Sequence, residues 1–204
     1  MVIRGIKQVL HGALEITADA GPAFFLRPEY LDEIEVKKLI EYAQNQTPIP
    51  EDEARDILQA ALAFSTEKAA MTYLARCEHC RKSLEQKLEA KNMDVTSISK
   101  ALDYLESCNY LSDRRFASAW LRTRAINHCE GRIRLQAELA RRGVDKQSAK
   151  EALEEFFQEN DEEDLCSKAV EKYLRTHPKA DKDKMTAALS RMGFSSSTIK
   201  RHIF

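Results

Sequence analysis

Three segments of this chain can be written under one another. They begin at Ser83 (SLEQKLEAKNMDVTSISKAL), Arg134 (RLQAELARRGVDKQSAKEAL) and Lys184 (KMTAALSRMGFSSSTIKRHI). Leu88, Leu139 and Leu189 fall in register, at spacings of 51 and 50 residues. A repeat of this length constrains the fold more than any other feature, because each copy buries its apolar face on its neighbours.

Each column of the repeat has a physical meaning. Leu84, Leu135 and Met185 stand four residues before the leucines, which marks one face of a helix. Asn92, Gly143 and Gly193 follow, and Asn and Gly are the residues that most readily enter the left-handed conformation at a helix end. Met93, Val144 and Phe194 then supply the apolar contact of a Schellman stop. Asp94, Asp145 and Ser195 are N-cap residues for another helix. Its inner face carries Ile98, Ala149 and Ile199, then Ala101, Ala152 and His202, then Leu102, Leu153 and Ile203.

A further helix precedes each pair. Its markers are Ala70, Tyr73 and Leu74, then Phe116, Ala117, Trp120 and Leu121, then Ala169, Val170, Tyr173 and Leu174. Trp120 and the tyrosines stand at core spacing. The expected fold class is therefore mainly α: about three tandem three-helix repeats in an elongated curved array, behind a small β-containing N-terminal segment. The expected divisions are 1–60, 61–109, 110–160 and 161–204.

Residues 1–60 stand outside the repeat. Ile3, Ile6, Val9-Leu10, Leu14, Ile16 and Phe24 to Leu26 are short apolar stretches. His11-Gly12 and Asp19-Ala20-Gly21-Pro22 punctuate them, which predicts two or three strands in a hairpin or meander. The spacing then predicts a helix over 33–45 with Ile34, Leu39, Ile40 and Ala43 apolar. Thr47-Pro48-Ile49-Pro50 is a break, and Glu51 opens another helix through Ile57, Leu58, Ala61 and Leu62.

Charge is segregated along the chain. The net charge is −1, yet residues 110–150 hold ten basic and four acidic side chains, residues 151–165 hold eight acids and no base, and residues 166–204 hold nine bases and three acids. Such blocks can bind a polyanion or an acidic protein surface. The acids from Glu159 to Asp164 precede an apolar-periodic stretch, where they complement a helix dipole with Asp161 as cap, the alternative being recognition of a partner. The candidate binding set is Arg114, Arg115, Arg122, Arg124, Arg132, Arg134, Arg141, Arg142, Lys168 and Lys172. Arginine predominates, and its planar fork engages phosphate or carboxylate bidentately. Arg115 and Arg122, two helical turns apart, are expected to share a surface with Arg132. The alternative is a solvated helix face with ordinary ion pairs. The loop from His177 to Lys182 can reach an acidic partner or serve as a linker.

Several chemistries find no support. Cys77-Glu78-His79-Cys80 resembles half of a zinc site, but no second Cys-x-x-Cys accompanies it, so no metal and no cofactor are expected. The phosphate-binding and nucleophile-elbow glycine motifs are missing, which argues against an enzyme. Five cysteines in a chain of this length read as reduced thiols. The N-terminus lacks a secretory apolar region and no run spans a bilayer. A cytoplasmic monomer is expected.

With these residues in place, the chain resembles the RecX regulators of the bacterial RecA recombinase. The likeness is densest over Tyr110-Leu111-Ser112-Asp113-Arg114-Arg115-Phe116-Ala117, Trp120, Arg124, Gly131-Arg132-Ile133-Arg134, Glu138-Leu139 and Gly143. It extends to Ala75-Arg76, Gln86-Lys87-Leu88 and Arg191-Met192-Gly193-Phe194, and covers residues 65–204. Cys80 and Ser83 depart from the family's capping box, so that helix start is expected to be less firmly fixed. Asn92 replaces a usual Gly, and Ser112 replaces a usual Asp but can still cap. The resemblance implies a non-enzymatic partner of the RecA filament. Such a protein lies in the filament groove and limits filament growth, ATP hydrolysis, strand exchange and repressor co-cleavage in DNA repair and the SOS response. Single- or double-stranded DNA is a second expected contact, and no membrane is. The rival readings are a helical module that binds DNA directly and a helical-repeat adaptor scaffold.

Overall fold

The computed structural model describes residues 1–9 and 12–203, so the readings for Leu10 and His11 lie outside the described residues. Strands β1 (Ile3–Gln8), β2 (Leu14–Ala18) and β3 (Phe24–Leu26) form an antiparallel meander in the order β1-β2-β3. Ten α-helices follow among the described residues. They are α1 (Glu33–Asn45), α2 (Glu51–Leu74), α3 (Arg81–Glu89), α4 (Val95–Ser107), α5 (Asp113–Asn127), α6 (Arg132–Arg141), α7 (Lys146–Glu159), α8 (Glu162–Thr176), α9 (Lys182–Arg191) and α10 (Ser196–Ile203). None is long and apolar enough to cross a membrane.

The fold divides into two compact bodies. The first holds residues 1–77 and 84–111, the second residues 78–83 and 112–204.

In the first body, Ile3, Ile16 and Leu26 on the sheet are fully buried with Leu39 of α1 and Ala60 and Ala63 of α2. Asp32 and Glu35 form the capping box that starts α1. Of the four apolar positions expected to define α1, Ile34 and Ile40 are exposed and Leu39 carries the burial. Helix α2 runs unbroken across the 60/61 division, because no Gly or Pro interrupts it between Glu51 and Leu74.

The repeat columns hold at atomic detail. Asn92, Gly143 and Gly193 all have left-handed φ, at 58°, 80° and 88°. Each is followed by the same bond: the N–H of Met93, Val144 and Phe194 donates to the carbonyl of Leu88, Leu139 and Leu189. That is the longer bond of the Schellman motif. Asp94, Asp145 and Ser195 then accept N–H bonds from the next helix's first turn. Ser112 caps α5 through the Arg115 N–H, and Asp161 caps α8 through the Glu163 N–H.

The second body holds one continuous core, from Cys80 and Ala117 through Leu139, Leu153 and Cys166 to Leu189 and Ile199. Two of its backbone contacts repeat. The N–H of Arg81, the first residue of α3, donates to Asp113 Oδ1 at 2.8 Å, and that of Arg132, the first residue of α6, donates to Glu162 Oε1 at 2.9 Å. Asp113 and Glu162 are each the first residue of a later helix. One column earlier, the Cys80 thiol donates to the Arg142 carbonyl at 3.2 Å and the Gly131 N–H to the Met192 carbonyl at 2.9 Å. The α3 start is therefore fixed without a local capping box, contrary to expectation, because Asp113 supplies the acceptor from a distant part of the chain. Helix α9 instead caps itself, with Asp181 accepting from the Lys184 N–H. The loop expected at 177–182 ends at Asp181, since Lys182 opens that helix.

Candidate functional site

The basic block of the sequence lies on α5, α6 and their flanks in the second body. Eight of the ten candidate residues lie there, Lys168 and Lys172 lie on α8, and the ten fall into two groups. Arg114, Arg122, Arg141, Lys168 and Lys172 are exposed, whereas Arg115, Arg124, Arg132, Arg134 and Arg142 are half-buried.

Arg124 and Arg134 converge on Glu130, which is only 6% exposed. Arg124 donates from Nε to Oε2 at 2.7 Å and from Nη2 to Oε1 at 2.9 Å. Arg134 brings Nε to 2.7 Å from Oε1 at an angle too bent for a hydrogen bond, and its Nη1 donates to the Arg191 carbonyl. Burial by itself raises the Glu130 carboxyl, but the Arg124 bonds and the charges of Arg124 and Arg134 outweigh it, holding the group below 4.5. These two arginines first hold the turn before α6 together.

The remaining arginines are also placed by contacts. Arg115 donates from Nε to Glu78 Oε1 at 2.9 Å. Arg114 lies 3.5 Å from both Glu151 and Glu155 on α7. Arg141 and Arg142 share Glu138, and Arg142 also covers the Trp120 ring at 4.7 Å. Arg132 covers Phe157 at 4.3 Å. The Lys172 ammonium donates to the Asn127 carbonyl. Among the described residues, the side chains of Arg122 and Lys168 make neither an ion pair nor a hydrogen bond. The basic block is thus largely paired within the molecule. Arg141 remains 71% and Arg114 56% exposed, because surface ion pairs leave the guanidinium reachable.

Two features escaped the sequence reading. Ile126 and Ile133 are 78% and 60% exposed on the same two helices, so apolar contact area stands among the cations. Glu130 went unremarked, although its four-residue spacing to Arg134 announces a helical pair.

Acids of the expected helix-start run have further partners. Glu163 pairs with Arg201 and accepts or shares a proton with His202 Nε2 at 2.8 Å, joining α8 to α10. Cys77 is exposed and Cys80 buried, and no group of three or more His, Cys, Asp or Glu among the described residues is arranged to hold a metal ion.

A protein of this kind belongs to the class of tandem three-helix-repeat proteins with a cation-rich middle repeat. Known proteins narrow it further. The family model described as the second three-helix domain of RecX matches residues 112–153. The regulatory protein RecX of Treponema pallidum is 35% identical over 142 residues, covering 70% of this chain and 85% of the relative. That of Chlorobaculum tepidum is 36% identical over 137 residues, covering 66% and 83%. In fold, the chain matches a crystal structure of regulatory protein RecX with TM-score 0.76 at 19% identity, over 98% of both chains. It matches RecX from Lactobacillus salivarius with TM-score 0.62 at 22% identity, over 70% of this chain and 94% of that one. The chain belongs to the RecX family of regulatory proteins.

Proposed function

We propose that this protein regulates the RecA recombinase filament by binding it, and that it inhibits filament growth and ATP hydrolysis. Kinship with regulatory RecX proteins along 142 residues carries this reading. The contact surface is the exposed side of α5 and α6 with the middle of α8. Arg114, Arg122, Arg141 and Lys168 meet acidic groups, Ile126 and Ile133 supply apolar area, and Arg115, Arg132, Arg142 and Lys172 extend the rim. Arg124 and Arg134 act as supports through Glu130. The exposed isoleucines favour a protein partner over a phosphate backbone, which offers nothing apolar to bury.

The repeats act together, the first of them beginning inside α2. Regulation then needs no chemistry from this chain: affinity that differs between filament states shifts their populations. Titration of the purified protein into preformed RecA filaments on single-stranded DNA tests this, with ATPase and filament length read together. Both should fall saturably. An ATPase and a length unaffected at saturating protein would overturn the proposal.

A further inference from the structure

A groove of about 1370 Å³ opens on the first body, which the filament reading leaves unused. One face of α2 forms its wall with Phe64, Lys68 and Met71, and the C-cap residue Ala75 continues it at the same helical spacing. Phe25 of β3, Tyr104 and the exposed Tyr110 close the other sides.

Its floor is polar but neutral. Arg27 donates to Glu67 through Nε at 2.8 Å and Nη2 at 2.6 Å, and the Tyr30 hydroxyl donates to the same carboxylate at 2.8 Å. Both charged residues are nearly fully buried, and the Tyr104 ring lies 4.6 Å from the guanidinium. This mutual neutralisation leaves Lys7 and Lys68 as the groove's charges without an ion pair among the described residues, with Glu15 opposite Lys7 across β1 and β2. Both lysines are exposed, and the Lys68 ammonium sits 5.8 Å from the centre of the Phe25 ring.

A second groove, of about 660 Å³, shares Phe25, Phe64 and Lys68 with the first and continues past Leu62 and Leu58. Leu62 is 52% and Leu58 47% exposed. Single exposed leucines are ordinary, but a contiguous apolar track is the mark of a contact site. From Leu58 to Met71 the helix rises about 20 Å, the length of a three- to four-turn partner helix. Residues 1–60 carry eleven acids against six bases, but the described lining of the two grooves holds no exposed acid, so the local charge there is cationic. A segment with a few carboxylates placed at Lys7 and Lys68 fits.

We propose that this face of α2 and β3 docks an acidic amphipathic peptide segment of another protein. Its apolar side chains fill the two grooves and its carboxylates pair with Lys7 and Lys68. None of these residues belongs to the cation set of the second body, so this proposal and the filament reading fail separately.

The probe is a labelled synthetic peptide of about four helical turns, with Leu at every third or fourth position and Glu between, titrated into the full chain by fluorescence anisotropy. Saturable binding is expected. Leu62→Glu and Lys68→Glu should each weaken it about tenfold, with unchanged circular dichroism and melting because both side chains are exposed. A peptide with Lys in place of Glu should bind the original chain less well and Lys68→Glu better. No saturable binding of the acidic peptide, or an affinity in either variant equal to that of the original chain, would overturn the proposal. So would an oligothymidylate that binds this face where the acidic peptide does not.

Discussion

The carboxylate of Asp113 caps the backbone N–H of Arg81, 32 residues earlier in the chain, at 2.8 Å. Its other oxygen takes the N–H of Asp145, the cap residue of α7, at 2.9 Å. One side chain therefore ties the starts of three helices, α3, α5 and α7. Glu162 repeats the first of these bonds with Arg132. A helix start whose N–H groups lack local acceptors is satisfied by the first residue of a later helix.

Asp113→Ala should therefore cost more than a surface substitution. It strands two N–H donors, and the expected loss is about 1–3 kcal/mol by urea unfolding. A loss under about 0.5 kcal/mol, the scale of an ordinary surface change, would contradict the shared cap.

The glycines at the repeat turns have unequal tasks. A Cβ on Gly193 would stand 2.8 Å from Arg134 Cα, and one on Gly143 would stand 2.6 Å from Lys82 Cβ, both at positive φ. Gly193→Ala and Gly143→Ala should each destabilise by about 2 kcal/mol or more. Asn92→Gly, where a side chain is already accommodated at φ 58°, should change stability by only a few tenths of a kcal/mol. Thermal melts of the three variants make the comparison.

Arg124→Ala leaves the buried Glu130 carboxylate with Arg134 alone, and should cost about 1–3 kcal/mol. Glu130 also makes stability depend on pH. Its folded-state pKa lies below the ordinary 4.5, so its contribution is complete above 4.5 and is lost as pH falls through the lowered folded value. Unfolding free energies measured between neutral pH and about pH 3 should fall less steeply in Glu130→Gln than in the original chain. Identical slopes would contradict the assignment.

The thiols should separate by burial. Cys77 and Cys108 are exposed, whereas Cys80 and Cys166 are buried. Burial pushes the Cys166 thiol up to about 11, and burial also raises Cys80. A thiol-specific reagent on the native protein should modify Cys77 and Cys108 rapidly and leave Cys80 and Cys166 until unfolding, as mass spectrometry of the peptides would register.

What the sequence discloses is what is decided locally. The left-handed Asn92, Gly143 and Gly193, the caps at Asp94, Asp145 and Ser195, and the leucine columns all involve residues within one turn of each other, so their spacing announces them. The three strands are legible for the same reason. Long-range pairing is not. Arg27 and Glu67 are 40 residues apart, and nothing near either marks it for burial. Asp113 reads as an ordinary first-turn acid until the Arg81 N–H is found against it. Ile34, Ile40, Leu58 and Leu62 carry a helical period yet stay exposed, because hydrophobic spacing marks a face without stating what covers it. In the basic block, the count of charges was legible but not their partners. Glu78, Glu130, Glu138, Glu151 and Glu155 occupy most of those arginines.

Direct binding to DNA has its own signature. A module neutralising several phosphates loses affinity steeply as salt rises, with no recombinase present. For this chain, with exposed isoleucines among its cations, binding to oligonucleotides alone is expected to be weak at physiological salt, as a filter or anisotropy titration would report.

The most direct test is the concentration of protein that halves the ATPase of RecA filaments on single-stranded DNA, compared between the original chain and Arg122→Glu with Arg141→Glu. Both side chains are exposed, so the double variant should keep its melting temperature while its half-inhibition concentration rises at least about tenfold. A folded double variant that inhibits at the original concentration would contradict a cationic middle repeat as the gripping surface.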